Sequence, residues 1–261
     1  MKKLGQIVLW VLVLSGISVI LGFALVEQRE VKCTKLSVSL SDDNIYGFIS
    51  TKEIEKLVIK QFDSIEGQSV DSLDIELLER KLEQNPFIKR ANVYTTVHGA
   101  LLVEVDREEA LIRIINKKNE SYYLSRSGKP LPCTQNFTPH VAVASGYIND
   151  SYAKLKGNDT ISLLSEKSKY KTLKQLFHLA EALEANQYMN NHIKQIYINS
   201  DGEIELIPED GRFVILLGDI DNIEIKFENL LAFYQAGLPK VGAENIDVVN
   251  LKYLNQVVCG K

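Results

Sequence analysis

The side chains that could bind a metal or move protons in this 261-residue chain are four histidines, three cysteines and 34 carboxylates. Their spacing supports none of the familiar chemistries. His98, His140, His178 and His192 are scattered, and none belongs to the His-Glu-x-x-His pattern that puts two zinc ligands and a base on one helix face. Cys33, Cys133 and Cys259 are too few for a four-cysteine zinc site or a disulfide-dense scaffold. Their odd number leaves at least one thiol free unless chains pair. No glycine-rich phosphate loop and no Gly-x-Ser-x-Gly turn occurs. Ser168-Lys-Tyr-Lys171 spells Ser-x-x-Lys but lacks the further motifs that accompany it in penicillin-binding enzymes. Glu76, Glu79 and Glu83 recur on one helical segment, where carboxylates ordinarily face solvent. Asn119, Asn136, Asn149 and Asn158 each open an Asn-x-Ser/Thr triplet, which matters only where such sites are glycosylated. The expectation is a protein without catalytic residues, metal, cofactor or small-molecule substrate.

Charge narrows the partners. Leaving out Lys2 and Lys3, 28 Lys and Arg stand against 34 Asp and Glu, a net of −6. A phosphate backbone requires a basic surface, so nucleic acid is not the expected partner. Apolar residues at 45% and charged residues at 25% describe a chain that folds.

The first element is apolar throughout. Ile7 to Val26 is a run of 20 uncharged residues, and as a helix it would rise about 30 Å, the thickness of a bilayer's hydrocarbon core. Gly22-Phe23-Ala24 resembles a signal-peptide cleavage site. The run is nonetheless longer than the roughly 7–15 residues of a signal peptide's apolar stretch, so an uncleaved anchor is expected. Lys2 and Lys3 before it would hold residues 1–6 in the cytoplasm and send the rest across the membrane, a single-pass type II arrangement. Ser15, Ser18 and Gly22 share one helix face, where small residues would let another membrane helix approach.

Beyond the span, the hydrophobic pattern changes period several times. Residues 32–41 alternate as a strand. Ser50-Thr-Lys-Glu53 is a capping box that opens a helix with Ile54, Leu57, Val58 and Phe62 on one face. Asp71 or Ser72 would cap a second helix carrying Leu73, Leu77, Leu78 and Leu82, which Asn85-Pro86 ends. Ile88–Thr96 and Ala100–Asp106 read as a hairpin about His98-Gly99. The order is strand, helix, helix, strand, strand.

Residues 110–148 read as β-rich and 149–168 as a polar, exposed excursion. A helix is expected over about 169–190, then a hairpin about Ser200-Asp-Gly202, a short strand Phe213–Leu217, and a helix from Asp221-Asn222 stopped by Gly237 and Pro239. Ile246–Gln256 alternates and reads as a last strand. The fold class is α+β: one N-terminal transmembrane helix, a βααββ domain, then a β-rich domain with flanking helices.

Leu82-Glu-Gln-Asn-Pro-Phe-Ile-Lys-Arg-Ala-Asn-Val93, Leu101–Ala110 and Val249-Asn-Leu-Lys-Tyr253, in this order, resemble three segments of the bacterial cell-division FtsQ/DivIB family. Tyr123-Leu-Ser-Arg-Ser-Gly-Lys-Pro130 and Asn255-Gln-Val-Val-Cys259 are similar to members from the Bacteroidetes. Glu109 stands where that family usually has proline, His98-Gly99 replaces a Trp-Pro turn, and Asn250 and Lys252 replace Asp and Arg. The resemblance implies residues 1–6 as a tail, 7–26 as the membrane helix, 32–108 as a POTRA-like docking domain and 109–261 as a β domain. It also implies a non-enzymatic scaffold in the inner membrane at the division site, with most of its mass periplasmic. The implied partners are FtsB-like and FtsL-like coiled-coil membrane proteins, linked to septal peptidoglycan synthesis. The same resemblance implies other divisome proteins as partners.

The expected partner-binding strand is Val248, Val249, Asn250, Leu251, Lys252, Tyr253, Leu254, Asn255 and Gln256. As a sheet edge it would offer unpaired main-chain groups, and Tyr253 matches the family's partner-contacting tyrosine. Two other classes fit parts of the pattern. A transport or outer-membrane assembly component would carry POTRA modules ahead of a barrel, and a membrane-anchored periplasmic hydrolase would need a convergent nucleophile and base.

Overall fold

The computed structural model describes residues 10–22, 31–42, 46–62, 67–156, 165, 169–254 and 256–261. Helix α1 covers residues 10–22 and exposes apolar side chains all round, Trp10 at 67% and Ile20 at 70% among them. Among the described residues, no helix is long and apolar enough to cross a membrane. Residues 7–9 and 23–26 of the expected span lie outside the described residues. The chain separates into two compact units, Met1–Arg107 and Glu108–Lys261.

The first unit lays two helices over one face of a three-stranded sheet. Strands β1 (Lys35–Leu40), β2 (Ile88–Thr95) and β3 (Ala100–Arg107) pair in the order β1-β3-β2, with β1 parallel and β2 antiparallel to β3. Strand alternation sends Leu101, Val103 and Val105 to one face, where all three are fully buried. Against them pack Ile54 and Val58 from helix α2 (Thr51–Phe62), and Leu78 and Leu82 from helix α3 (Ile75–Glu83). The capping box forms as read: Ser50 N–H donates to Glu53 Oε2 (2.8 Å) and Glu53 N–H donates to Ser50 Oγ (3.3 Å). Leu57 departs from the expected stripe and is 38% exposed.

The second cap is Asp74, whose Oδ1 accepts the N–H of Leu77 (2.9 Å), and not Asp71 or Ser72. Val70–Ser72 forms a separate 3₁₀ turn, which moves the cap two residues on from Ser72, or three from Asp71. The β2–β3 turn needs Gly99. Its φ is +81°, and a Cβ there would lie 2.2 Å from the carbonyl oxygen of Lys32. Arg107 closes the unit, with Nε bonded to Asp42 Oδ2 (3.1 Å) and Nη1 to the carbonyl of Ile49 (3.2 Å).

The second unit is built on a nine-stranded sheet in the order β12-β11-β10-β9-β8-β7-β4-β5-β6. In chain order these are β4 (Ala110–Ile115), β5 (Ser121–Ser125), β6 (Pro130–Pro132), β7 (Ala142–Gly146), β8 (Ile193–Ile198), β9 (Ile204–Pro208), β10 (Val214–Gly218), β11 (Val248–Asn250) and β12 (Val258–Gly260). Helix α4 (Tyr152–Leu155) precedes α5 (Lys171–Ala185) and α6 (Gln187–His192); α7 (Ile223–Ala232) and α8 (Leu238–Val241) follow β10.

Three expectations change here. The polar stretch 149–168 is not wholly an excursion, because Leu155 is fully buried in the core beside Tyr170 and Leu173. Helix 169–190 is two helices: Asn186 takes an extended backbone, ends α5, and caps α6 by accepting the N–H of Met189 (3.1 Å). Gly237 and Pro239 do not stop the helix after Asn222. A π turn over Phe233–Gly237 passes directly into α8, whose first turn tolerates Pro239 because proline lacks only an N–H that has no partner there. The π turn keeps Phe233 buried against the core.

Candidate functional site

The carboxyl-terminal end of the nine-stranded sheet is assembled from three short strands. Val214, Ile215 and Leu216 of β10 pair in parallel with Val248, Val249 and Asn250 of β11. Those same three residues pair on their other side with Gly260, Cys259 and Val258 of β12, antiparallel. The expected strand Ile246–Gln256 is therefore only Val248–Asn250, and it is an inner strand. The edge strand at this end of the sheet is β12.

The chain turns between them because Asn250 caps its own strand. Its Oδ1 accepts the N–H of Lys252 (2.9 Å), which draws the backbone out of the ladder after Leu251 N–H bonds the carbonyl of Leu216 (2.9 Å). The turn is then held at two points. Asn229 of α7 donates to the carbonyl of Leu254 (2.8 Å), and Lys252 Nζ contacts both carboxylate oxygens of Glu203 at 2.6 Å. That hydrogen bond from Lys252 is the largest of the effects holding the Glu203 carboxyl below the ordinary carboxylate range. Under the turn, Lys226 is buried with its Nζ bonded to the carbonyls of Leu217 (3.0 Å) and Asp219 (2.9 Å) and to Asp219 Oδ1 (2.7 Å). The bond to Lys226 likewise leads in lowering the Asp219 carboxyl. Both lysines are thus already taken up by carboxylates.

The expected site residues divide. Val249 and Leu251 are buried at 0% and 1%, and Val248 and Asn250 are half-buried between paired strands. Lys252, Tyr253, Leu254 and Gln256 are exposed on the turn, with Tyr253 at 54%. Asn255 lies outside the described residues. Sequence reading missed Val258, Cys259 and Gly260, the strand that forms the edge. A three-residue strand carries too little alternation to be recognised, and the pattern running through Tyr253 masked the turn. Tyr253, Leu254 and Val258 leave an apolar surface beside open main-chain groups, the features that strand addition uses.

Elsewhere, Ser15, Ser18 and Gly22 lie exposed on α1. The two hydroxyls donate within the helix, to the carbonyls of Leu12 and Leu14. All three cysteines are free thiols, Cys33 buried and Cys133 and Cys259 exposed. Among the described residues, no three His, Cys, Asp or Glu side chains converge on a metal-sized space.

The architecture is thus a βααββ module followed by a mixed nine-stranded sheet that ends in a short accessible strand. A POTRA-like domain model matches residues 31–106, and the model described as FtsQ/DivIB, C-terminal related, matches residues 109–260. The chain belongs to the FtsQ/DivIB-related family. Comparison with curated proteins gave no match. The two domains are those of a cell-division scaffold family whose members are generally not enzymes.

Proposed function

We propose that this chain is a bitopic membrane scaffold of the bacterial divisome that binds its partners by strand addition at β12. The observation that carries the reading is the edge itself: three accessible residues, Val258–Gly260, beside exposed Tyr253 and Leu254 on a turn anchored by Lys252 and Asn229. Main-chain pairing would supply affinity and the flanking side chains specificity.

Residues 7–26 would anchor it, with residues 1–6 cytoplasmic and the units around 32–108 and 109–261 in the periplasm. Lys2 and Lys3 before the apolar run, with only Arg29 close behind it between Glu27 and Glu30, support this orientation. The all-round exposure of apolar side chains on α1 suits a lipid-facing helix. Ser15, Ser18 and Gly22 are the face offered to a neighbouring membrane helix. FtsB-like and FtsL-like coiled-coil proteins are the proposed partners, and septal peptidoglycan synthesis the process served.

The test is purification of the tagged full chain from bacterial membranes with identification of what accompanies it. Two small single-span coiled-coil proteins should co-purify with the parent and be lost when β12 is altered. Their absence from the parent preparation would overturn the reading.

A further inference from the structure

In the first unit, two carboxylates do something other than face water. Glu79 and Glu83 stand one turn apart on α3 and reach past the outer strand β2. Glu79 Oε1 accepts the N–H of Val93 (2.7 Å), and Glu83 Oε1 accepts the N–H of Ala91 (3.2 Å). The expected solvated acidic face of α3 is, at these two positions, bonded to backbone.

The pairing of β2 shows what those bonds cover. Thr96 N–H donates to the carbonyl of Ala100 across the hairpin. Main-chain groups alternate sides along an antiparallel strand, so Tyr94 and Asn92 also turn theirs towards β3, while Thr95, Val93 and Ala91 turn theirs outward. Since β2 ends the sheet β1-β3-β2, the outward groups form its edge.

That edge is complementary to itself. A second copy laid antiparallel and centred on Asn92 sets Ala91 opposite Val93 of the second copy, and the reverse. Each such pair exchanges two N–H···O bonds. Arg90 then faces Tyr94 of the second copy, so no like charges oppose one another. The two N–H groups at the centre of this pairing are the two that Glu79 and Glu83 occupy.

We propose that Glu79 and Glu83 close the β2 edge against pairing with β2 of a second copy of this chain. An incoming strand would have to displace both carboxylates and would bring its own carbonyl oxygens towards them. Strand addition to this sheet edge is thereby blocked by the chain's own side chains.

The test uses the full chain in detergent, with site-resolved hydrogen exchange and light scattering across a range of concentrations. In the parent, the Ala91 and Val93 amides should exchange at least tenfold more slowly than that of Thr95, which is outward with no carboxylate on it. The Glu79→Ala/Glu83→Ala variant should lose that protection and associate beyond the parent's state as its concentration rises. Adding Tyr94→Lys, which opposes a like charge to Arg90 of the second copy, should return it to the parent's state. Glu79→Gln/Glu83→Gln keeps both Oε1 acceptors and should behave as the parent. The proposal fails if the parent's Ala91 and Val93 exchange as fast as Thr95. It fails equally if the folded alanine variant never associates, if Tyr94→Lys leaves the association intact, or if the glutamine variant associates. Should the alanine variant not fold by circular dichroism, the parent and glutamine measurements decide.

Discussion

Lys252 Nζ sits 2.6 Å from both carboxylate oxygens of Glu203, a pair that bridges 49 residues of sequence and ties the β11–β12 turn to the β8–β9 hairpin. Gly218 permits this approach, since a Cβ there would lie 3.1 Å from Lys252 Cγ at a φ of +78°. The pair is partly exposed, at 34% for Lys252 and 40% for Glu203, so it orients the turn more than it stabilises the whole unit.

The pH dependence of that pair follows from its sign. Glu203 is held below its ordinary value in the folded chain, so its contribution is complete above the unfolded carboxylate's pKa, about 4.3. It is lost as pH falls through the lower folded value. The parent should therefore melt above Glu203→Gln at pH 7, and the two melting temperatures should converge on acidification below the ordinary carboxylate range. Added salt at pH 7 should also narrow the gap. A gap that widens with acid would show that the pair is not what Glu203 contributes.

Proline separates the inner strand from the edge. Asn250 is paired on both sides, so Asn250→Pro should disturb the circular-dichroism spectrum as well as binding. A proline scan of Val258, Cys259 and Gly260 should find a position whose outward N–H is lost, where binding of the partner's periplasmic segment disappears and the spectrum persists. Tyr253→Ala should weaken that binding at least tenfold, an effect of about 1.4 kcal/mol or more. Parent-like binding by all of these variants would place the interface elsewhere.

Phe87 follows the end of α3 and stacks on Phe48, with ring centroids 5.1 Å apart and planes within 9°. Phe48 is 6% exposed, whereas Phe87 is only half-buried. Phe87→Ala should then cost about 2 kcal/mol, less than full truncation of a core phenylalanine. Chemical denaturation measures it, and partner binding at β12 should be unaffected.

Gly146 ends β7 at a φ of +101°, with the carbonyl oxygen of Ile198 2.2 Å from where a Cβ would stand. Gly146→Ala must move β8 or abandon that conformation, and should destabilise the protein by more than about 1 kcal/mol. Thermal denaturation tests it. Gly202→Ala, at a comparable φ but with open space around it, should cost less.

The local elements were legible because their signals are local. The Ser50–Glu53 capping box, the Asn85-Pro86 stop and the Ser200-Asp-Gly202 hairpin each depend on residues within a turn of one another. Alternation along β3 stated which face is buried. Of the expected stripe Leu73, Leu77, Leu78 and Leu82, the helix buries Leu78 and Leu82, while Leu77 is half-buried and the buried Leu73 precedes the helix. Strand β4 was not distinguished, since its run Ala110–Ile115 is almost continuously apolar, without the alternation that marks a half-buried strand. The Asp74 cap went unseen because Asp71, Ser72 and Asp74 are all competent caps, and the intervening 3₁₀ turn selects among them.

By itself, then, the sequence determined the βααββ order, the apolar first segment, the family motifs and the lack of any catalytic spacing. Tertiary structure alone decided which strand lies at the edge. Ile246–Gln256 has the pattern of a strand whichever neighbour it meets, but pairing with β10 on one side and with the returning tail on the other makes Val248–Asn250 interior. In the same way, no pattern on α3 announces that Glu79 and Glu83 end on the amides of Val93 and Ala91. Edges and caps of this kind arise from contacts between segments far apart in the chain, and periodicity records only the face a residue presents.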